Sequence, residues 1–199
     1  MTETLPDGRR LILASTSPFR HELLTRLQLP FVAIAPIADE TPQSDESPQQ
    51  LVVRLAKAKA HSVAAAQRHA VVIGSDQVAV LHGSIFGKPG THQNARQQLG
   101  AASGNTMVFY TSLALIDSDS GRTQVEMAPF RVHFRSLSQV QIERYLQREQ
   151  PYQCAGSFKS EGLGITLCDK FDGEDPSSLV GLPLIRLTRM LEREGIPVP

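Results

Sequence analysis

One stretch of the chain, Leu11 to Leu24, constrains the fold more than any other. An apolar run over Leu11–Ala14 passes through small hydroxyl residues into a helical pattern that opens with Pro18. Proline suits the first position of a helix, because the N–H group that it lacks would have no partner there. The stretch therefore predicts a strand followed by a helix, which is the unit of α/β folds.

The same junction has the layout of an anion-binding site. The backbone N–H groups from Ser15 to Phe19 would be free at the start of the helix, where phosphate groups bind. Arg20 lies in the first helical turn, where the helix dipole disfavours a cation unless an anion lies in front of it. An ordinary capped surface helix with a solvated arginine is the alternative, and this segment alone does not exclude it.

Hydrophobic periodicity extends the α/β prediction along the chain, because short apolar runs alternate with longer amphipathic segments. The turn Ser118–Gly121 between two alternating runs predicts a hairpin, so part of the sheet is antiparallel and a purely parallel sheet is disfavoured. The predicted strands lie near 10–15, 31–35, 70–81, 105–117, 123–134 and 161–168, and the predicted helices near 18–28, 47–68, 91–102, 138–149 and 182–194.

Composition limits the classes of function. The chain has 199 residues, of which 41% are hydrophobic, enough for one core within a single domain over 1–199. Its 20 basic and 20 acidic residues balance, so no global field favours nucleic acid or an anionic membrane. Cys154 and Cys168 lack the Cys-x-x-Cys spacing of zinc or redox sites. Without a signal peptide or a membrane-spanning apolar run, we expect a cytoplasmic protein.

Two charged residues occur where the pattern predicts apolar ones. A helix begins at Ser47 with a capping box completed by Gln50, and at 100° per residue Lys59 falls within its apolar arc. A lysine there either extends its stem to solvent or meets an anion inside the protein. Asp76 interrupts a β-rich run, where it is either a functional carboxylate or an aspartate in a turn between two short strands.

Two further segments carry charges that could belong to the same site. The loop from Pro36 to Ser47 is the longest acidic loop in the first half of the chain. Acidic loops beside anion sites commonly hold divalent metals, although a solvated connector has the same composition. Lys88 lies between glycine and proline in a tight Gly-Lys-Pro loop, which is a weak signal by itself.

Taken together, these residues resemble the Maf family of nucleoside-triphosphate pyrophosphatases over almost the whole chain. The resemblance implies an elongated two-lobed α/β fold, related to inosine-triphosphate pyrophosphatases, with a mixed sheet flanked by helices, a central cleft and a possible homodimer. The matching motifs are Ser-x-Ser-Pro-x-Arg-x-Glu-Leu-Leu at 15–24, Asp-Glu-Thr at 39–41, Arg-Leu-Ala-x-x-Lys-Ala at 54–60, the strand aspartate Asp76, Gly-Lys-Pro at 87–89 and Ala-Gly-x-Phe from Ala155.

The resemblance also implies roles for individual residues. Water would attack between the α- and β-phosphates, with Asp76 as the proton acceptor. Glu40 and Asp76 would hold a divalent metal, Mg²⁺ or Mn²⁺. Because an unperturbed aspartate has a pKa of ~3.9, metal activation of the water would carry much of the work. The residues that would bind the phosphates are Ser15, Arg20, Lys59 and Lys88.

Three departures from the more widespread family pattern indicate a branch. Members that act on dTTP and UTP carry Pro-Arg-Arg, Asp-Thr and Ile-Gln-Gly where this chain has Phe19, Gln77 and Glu161. The combination resembles the branch that hydrolyses 7-methyl-GTP. Methylation at N7 makes guanine cationic, so its face favours an aromatic ring such as Phe19, and its N1–H and amine favour a carboxylate such as Glu161. An ionised glutamate would repel the carbonyls of thymine or uracil.

Other interpretations of these residues remain open. Without the resemblance, core packing explains Phe19 and a surface charge beside a glycine turn explains Glu161. The same fold could hydrolyse dTTP or UTP instead. A nucleotide-binding regulator of cell division that acts without catalysis is the other candidate function.

Overall fold

The computed structural model describes residues 4–198 and shows seven strands and five α-helices within them. Short 3₁₀ helices lie at Ala155–Ser157, Leu163–Leu167 and Pro176–Val180. In chain order the elements are β1 (Arg10–Ala14), α1 (Pro18–Thr25), β2 (Val32–Ile34), α2 (Pro48–Ala64), β3 (Ala70–Leu81), β4 (Ser84–Phe86), α3 (His92–Ala102), β5 (Thr106–Asp117), β6 (Thr123–Phe134), α4 (Gln139–Glu149), β7 (Cys168–Asp172) and α5 (Leu184–Arg193).

The strands form one mixed sheet in the order β2-β1-β3-β5-β6-β7, and β4 also pairs with β3. The strand β1 runs parallel to β2 and β3, whereas the other pairs are antiparallel. The tight turn at 118–121 joins β5 and β6 into a hairpin, as its sequence predicts. The mixed α/β fold expected from the periodicity is confirmed.

The sheet is divided into two lobes at the middle of β3. On one edge of this strand, β1 pairs with residues 70–73 and β4 pairs with residues 79–81, so residues 74–78 face no strand on that edge. The three twelve-residue strands β3, β5 and β6 run through both lobes. The first lobe carries α1 and α5 around one hydrophobic cluster and α2 around a second, and the second lobe carries α3 and α4 around a third. Asp76 therefore lies in the cleft between the lobes.

Some predicted boundaries are wrong. The strand predicted near 161–168 is a 3₁₀ helix over Leu163–Leu167, and the strand begins only at Cys168. A Cβ atom on Gly164 would lie 2.3 Å from the carbonyl oxygen of Lys159, so glycine permits a tight turn that an extended strand would not make. The short strand β4 was not predicted. No helix among residues 4–198 is both long enough and apolar enough to cross a bilayer.

Candidate active site

A glycine brings α2 close to the middle of β3. A Cβ atom on Gly74 would lie 2.2 Å from the carbonyl oxygen of Ala56 and 2.8 Å from the backbone nitrogen of Ala60. Any side chain at this position would push the helix away from the sheet. The close approach places Lys59, on the same turn of α2, beside the strand residue Asp76.

Lys59 bridges two carboxylates in the cleft. Its Nζ donates a hydrogen bond to Asp76 Oδ1 at 2.7 Å and lies 2.7 Å from Glu40 Oε1. Only 7% of Lys59 is exposed, so its stem does not extend to solvent and the ammonium meets anions inside the protein. The turn interpretation of Asp76 is wrong as well, because Asp76 lies within a continuous twelve-residue strand.

The negative charge of the buried Asp76 carboxylate is only partly offset by neighbouring groups. It is 7% exposed, and burial raises its pKa, while the charges of Lys59 and Arg20 offset only part of this effect. Lys59 is its one hydrogen-bond donor within residues 4–198, so the second oxygen, Oδ2, is unpartnered there. A buried carboxylate with a raised pKa and a free oxygen is suited to accepting a proton.

Glu40 has the opposite electrostatic balance. Burial opposes its ionisation, but the hydrogen bond and charge of Lys59 outweigh burial and hold the pKa of Glu40 below its usual range. The charges of Lys88 and Arg20 lower the pKa of Glu40 further, so both cations lie within electrostatic range of Glu40. Lys88 itself is exposed on the loop after β4. The cleft therefore gathers three cations around two carboxylates.

The start of α1 forms the capped strand–helix junction that was expected, but, contrary to the prediction, the N–H groups of Ser15 and Ser17 are not free, because Ser15 N–H donates to the carbonyl oxygen of Leu13 at 2.9 Å and Ser17 N–H donates to Ser15 Oγ. Ser17 is the N-cap, with its Oγ accepting from the backbone N–H of Arg20 at 3.4 Å, and Pro18 opens the helix. Ser15 is buried and its Oγ accepts from the backbone N–H of Ser17 at 3.1 Å. Burial lowers the pKa of Arg20, opposed by the charges of Asp76 and Glu40. The cation in the first turn therefore has anionic neighbours rather than a solvated position.

The backbone segment 176–181, which sequence reasoning missed, also borders the cleft. Arg20 Nε and Ser75 Oγ both donate to the carbonyl oxygen of Gly181 at 2.9 Å. Gln77 Nε2 donates to Thr111 Oγ1 at 2.9 Å and to the carbonyl oxygen of Ser178 at 2.8 Å. The polar side chains of Ser75, Gln77 and Thr111 in otherwise apolar strands were the available sequence signal that a backbone segment covers the sheet here.

Phe19 and Glu161, which with Gln77 were predicted to set substrate specificity, lie at different places in the fold. Phe19 is half-buried on α1, one residue before Arg20, and Glu161 is exposed in the loop before the 3₁₀ helix at 163–167. Burial raises the pKa of the Cys154 thiol to about 11; the charge of Glu161 adds to this and that of Lys88 opposes it. Glu161 and Lys88 therefore both lie within electrostatic range of Cys154. Within residues 4–198, no hydrogen bond or ion pair joins Phe19 or Glu161 to the carboxylates of Glu40 and Asp76.

The donor set suits a metal that arrives with its substrate. No group of three or more His, Cys, Asp or Glu side chains within residues 4–198 could hold an ion. The carboxylates of Glu40 and Asp76 nevertheless converge on one nitrogen, each at 2.7 Å. Mg²⁺ is usually bound through one or two carboxylates together with substrate phosphates and water, so the pair fits that mode of binding.

The family model described as "Maf-like protein" matches residues 10–194, and the chain belongs to this family. The assignment made from the motifs is confirmed. A relative from Nitrosococcus oceani, named 7-methyl-GTP pyrophosphatase, is 59% identical to the chain over 193 residues, which cover 97% of each protein.

Proposed function

We propose that the chain is a nucleotide pyrophosphatase that hydrolyses 7-methyl-GTP to 7-methyl-GMP and diphosphate. The similarity to the Nitrosococcus oceani relative, 59% identity over 97% of both chains, is the observation that carries this choice. The cleft supports the reaction class, because it combines a buried carboxylate with three cations that could neutralise a triphosphate. Its partner is then a small nucleotide rather than a nucleic acid.

The phosphates would lie against the cations of the cleft. Arg20 and Lys88 both lie within electrostatic range of Glu40, and Lys59 lies between Glu40 and Asp76. Positive groups already held in place stabilise charge that develops on the phosphates without reorganising during the reaction. The hydroxyl of Ser15 would add a hydrogen bond, and so would the N–H groups of Thr16 and Phe19, which have no partner among residues 4–198.

Asp76 would accept the proton of the attacking water. Its unpartnered Oδ2 is available, and its raised pKa makes it a better base than a solvent-exposed aspartate. Glu40 and Asp76 would hold Mg²⁺ or Mn²⁺, which when bound supplies Lewis-acid catalysis and lowers the pKa of a bound water. Lys59 keeps the two carboxylates together by neutralising part of their charge.

The methylated base would be selected by Phe19 and Glu161. A cationic purine favours the face of an aromatic ring, and its Watson–Crick edge offers two N–H donors to a carboxylate. The exposed carboxylate of Glu161 bonds only to the hydroxyl of Ser160, at 3.3 Å, among residues 4–198, so it is free to accept from a base. Gln77 would contribute to substrate specificity indirectly, because its amide donates to the carbonyl oxygens of Ser178 and Leu179 and so holds the segment 176–181 over the strands.

A substrate panel tests the proposal. Diphosphate release is measured with purified protein and Mg²⁺ for 7-methyl-GTP, GTP, dTTP and UTP. We expect the highest kcat/KM for 7-methyl-GTP. A higher value for dTTP or UTP would place the chain in the other branch of the family, and tight nucleotide binding without diphosphate release would support the regulator. Analytical ultracentrifugation of the same sample tests the homodimer, and fractionation of the source cells tests the cytoplasmic location.

A further inference from the structure

Arg54, on α2, makes a set of contacts that the proposed reaction does not use. Its Nε donates to Glu46 Oε1 at 2.6 Å and its Nη2 donates to Glu46 Oε2 at 2.8 Å, which is a bidentate ion pair. Nη1 also donates to the carbonyl oxygen of Asp39 at 3.3 Å, and Nη2 to that of Thr41 at 3.0 Å. One guanidinium thus holds the acidic loop at three places.

The two carbonyl groups that Arg54 contacts belong to the residues on either side of Glu40. The same helix supplies Lys59, which contacts the Glu40 carboxylate at 2.7 Å. Arg54 therefore holds the backbone around Glu40, and Lys59 holds its side chain. Packing contributes little, since 63% of the Glu40 side chain is exposed.

We propose that Arg54 is a positioning residue that orders the loop 39–46 so that Glu40 stays paired with Asp76 as a divalent-cation site. The planar fork of arginine can bind a carboxylate through two nitrogens and still donate to two carbonyl groups. Lysine offers one nitrogen on a flexible stem, so a lysine at position 54 (Arg54→Lys) should order the loop less well than arginine does. The inference rests on the proposed function for the role of the cation in hydrolysis.

Binding of Mn²⁺, followed by electron paramagnetic resonance of the free ion, tests the inference without catalysis. The titration is run on the full chain alone and with the uncleavable α,β-methylene analogue of 7-methyl-GTP. We expect Arg54→Met to weaken Mn²⁺ binding by at least ~10-fold, the usual size of effect for a group that supports a metal ligand. Arg26→Met is the matched control, because it removes only the exposed pair with Glu22 and should leave binding unchanged.

Hydrolysis supplies the second measurement. We expect Arg54→Met to need more Mg²⁺ for half-maximal activity and to regain most of its kcat at high Mg²⁺, whereas Asp76→Asn stays inactive. Equal Mn²⁺ affinity in Arg54→Met and the unaltered chain would overturn the inference, and so would an absence of Mn²⁺ binding to the unaltered chain in both titrations. Failure of the proposed function is distinct, since it would show as no diphosphate release from 7-methyl-GTP while Mn²⁺ binding still depended on Arg54.

Discussion

Two buried aspartates on neighbouring strands have opposite electrostatic environments. Asp76 on β3 is 7% exposed and Asp117 at the end of β5 is 9% exposed. Burial opposes ionisation of Asp117, but hydrogen bonds from the backbone and hydroxyl of Ser120 and from Arg9 outweigh it and lower its pKa to about 2. Among residues 4–198, Lys59 is the one donor to Asp76, and the pKa of Asp76 is raised. Asp76 lies deeper in the protein and has one donor, whereas Asp117 lies near the edge of the sheet and has several, so burial decides the sign of the pKa shift at Asp76 and hydrogen bonds decide it at Asp117.

The difference separates a structural carboxylate from a reactive one. Asp117 caps the turn between β5 and β6 and pairs with Arg9, whose Nη2 also donates to the carbonyl oxygen of Glu194 at 2.7 Å. It therefore joins the sheet to both ends of the described chain. The ionised form of Asp76 is less favourable in the folded protein than in water, which is a cost to stability expected at a site that must react.

The largest expected effect is the loss of activity in Asp76→Asn. An amide cannot accept the proton of the attacking water, so kcat for 7-methyl-GTP should fall by roughly 10³-fold or more. Diphosphate release measures it, with Asp117→Asn as the control that should keep its activity when folded. Near-normal turnover of Asp76→Asn in the presence of Mg²⁺ would remove Asp76 from the reaction.

Lys59→Met should cause the largest loss of stability. It leaves the buried Asp76 beside Glu40 without the ammonium that bridges them, and breaking a buried ion pair costs about 3 kcal/mol. Urea unfolding of the metal-free protein measures the free energy of unfolding. Added Mg²⁺ should stabilise this variant more than the unaltered chain, because the cation replaces the lost positive charge. An equal response to Mg²⁺ in both proteins would show that the carboxylate pair is not where the ion binds.

Asp117→Asn should reduce stability at neutral pH while leaving kcat unchanged. The shift of its pKa from 3.8 to about 2 corresponds to about 1 to 2 kcal/mol, allowing for solvent screening at this edge of the sheet. Urea unfolding at pH 7 measures this difference. A loss of activity in the folded variant would contradict the division of roles between the two aspartates.

The same variant has a pH signature. Because the pKa of Asp117 is lower in the folded chain than in the unfolded one, its stabilisation is present above pH 3.8 and is lost as the pH falls toward about 2. The free-energy difference between Asp117→Asn and the unaltered chain should therefore shrink over this range. A difference that is constant from pH 5 to pH 2 would contradict the lowered pKa.

The smallest expected effect concerns a carboxylate that is neither buried nor held by several donors. Glu161 is exposed, and we expect Glu161→Gln to reduce the ratio of kcat/KM for 7-methyl-GTP to that for dTTP by roughly 10-fold, since an amide can also donate to a pyrimidine carbonyl. The substrate panel measures the ratio. Asp169→Asn, another exposed carboxylate of the second lobe, should leave the ratio unchanged.

Much of the fold could be predicted because its signals lie in contiguous residues. The strand 70–81 matches its predicted bounds, and the capping box of Ser47 and Gln50 forms as expected. The unusual position of Lys59 was visible in the helical periodicity alone. The strand predicted near 161–168 failed because a tight turn at Gly164 outweighs the apolar residues around it.

The partners of these residues could not be predicted in the same way. Lys59 meets Asp76 from a strand and Glu40 from a loop, and the segment at 176–181 reaches Arg20 from the far end of the chain. Helical and strand periodicity, capping and turn chemistry depend on near neighbours, so residue order specifies them directly. The turn residues that lower the pKa of Asp117 are near neighbours in the sequence, but the burial of Asp76 and its partners come from distant segments, so the raised pKa of Asp76 exists only once the chain has packed.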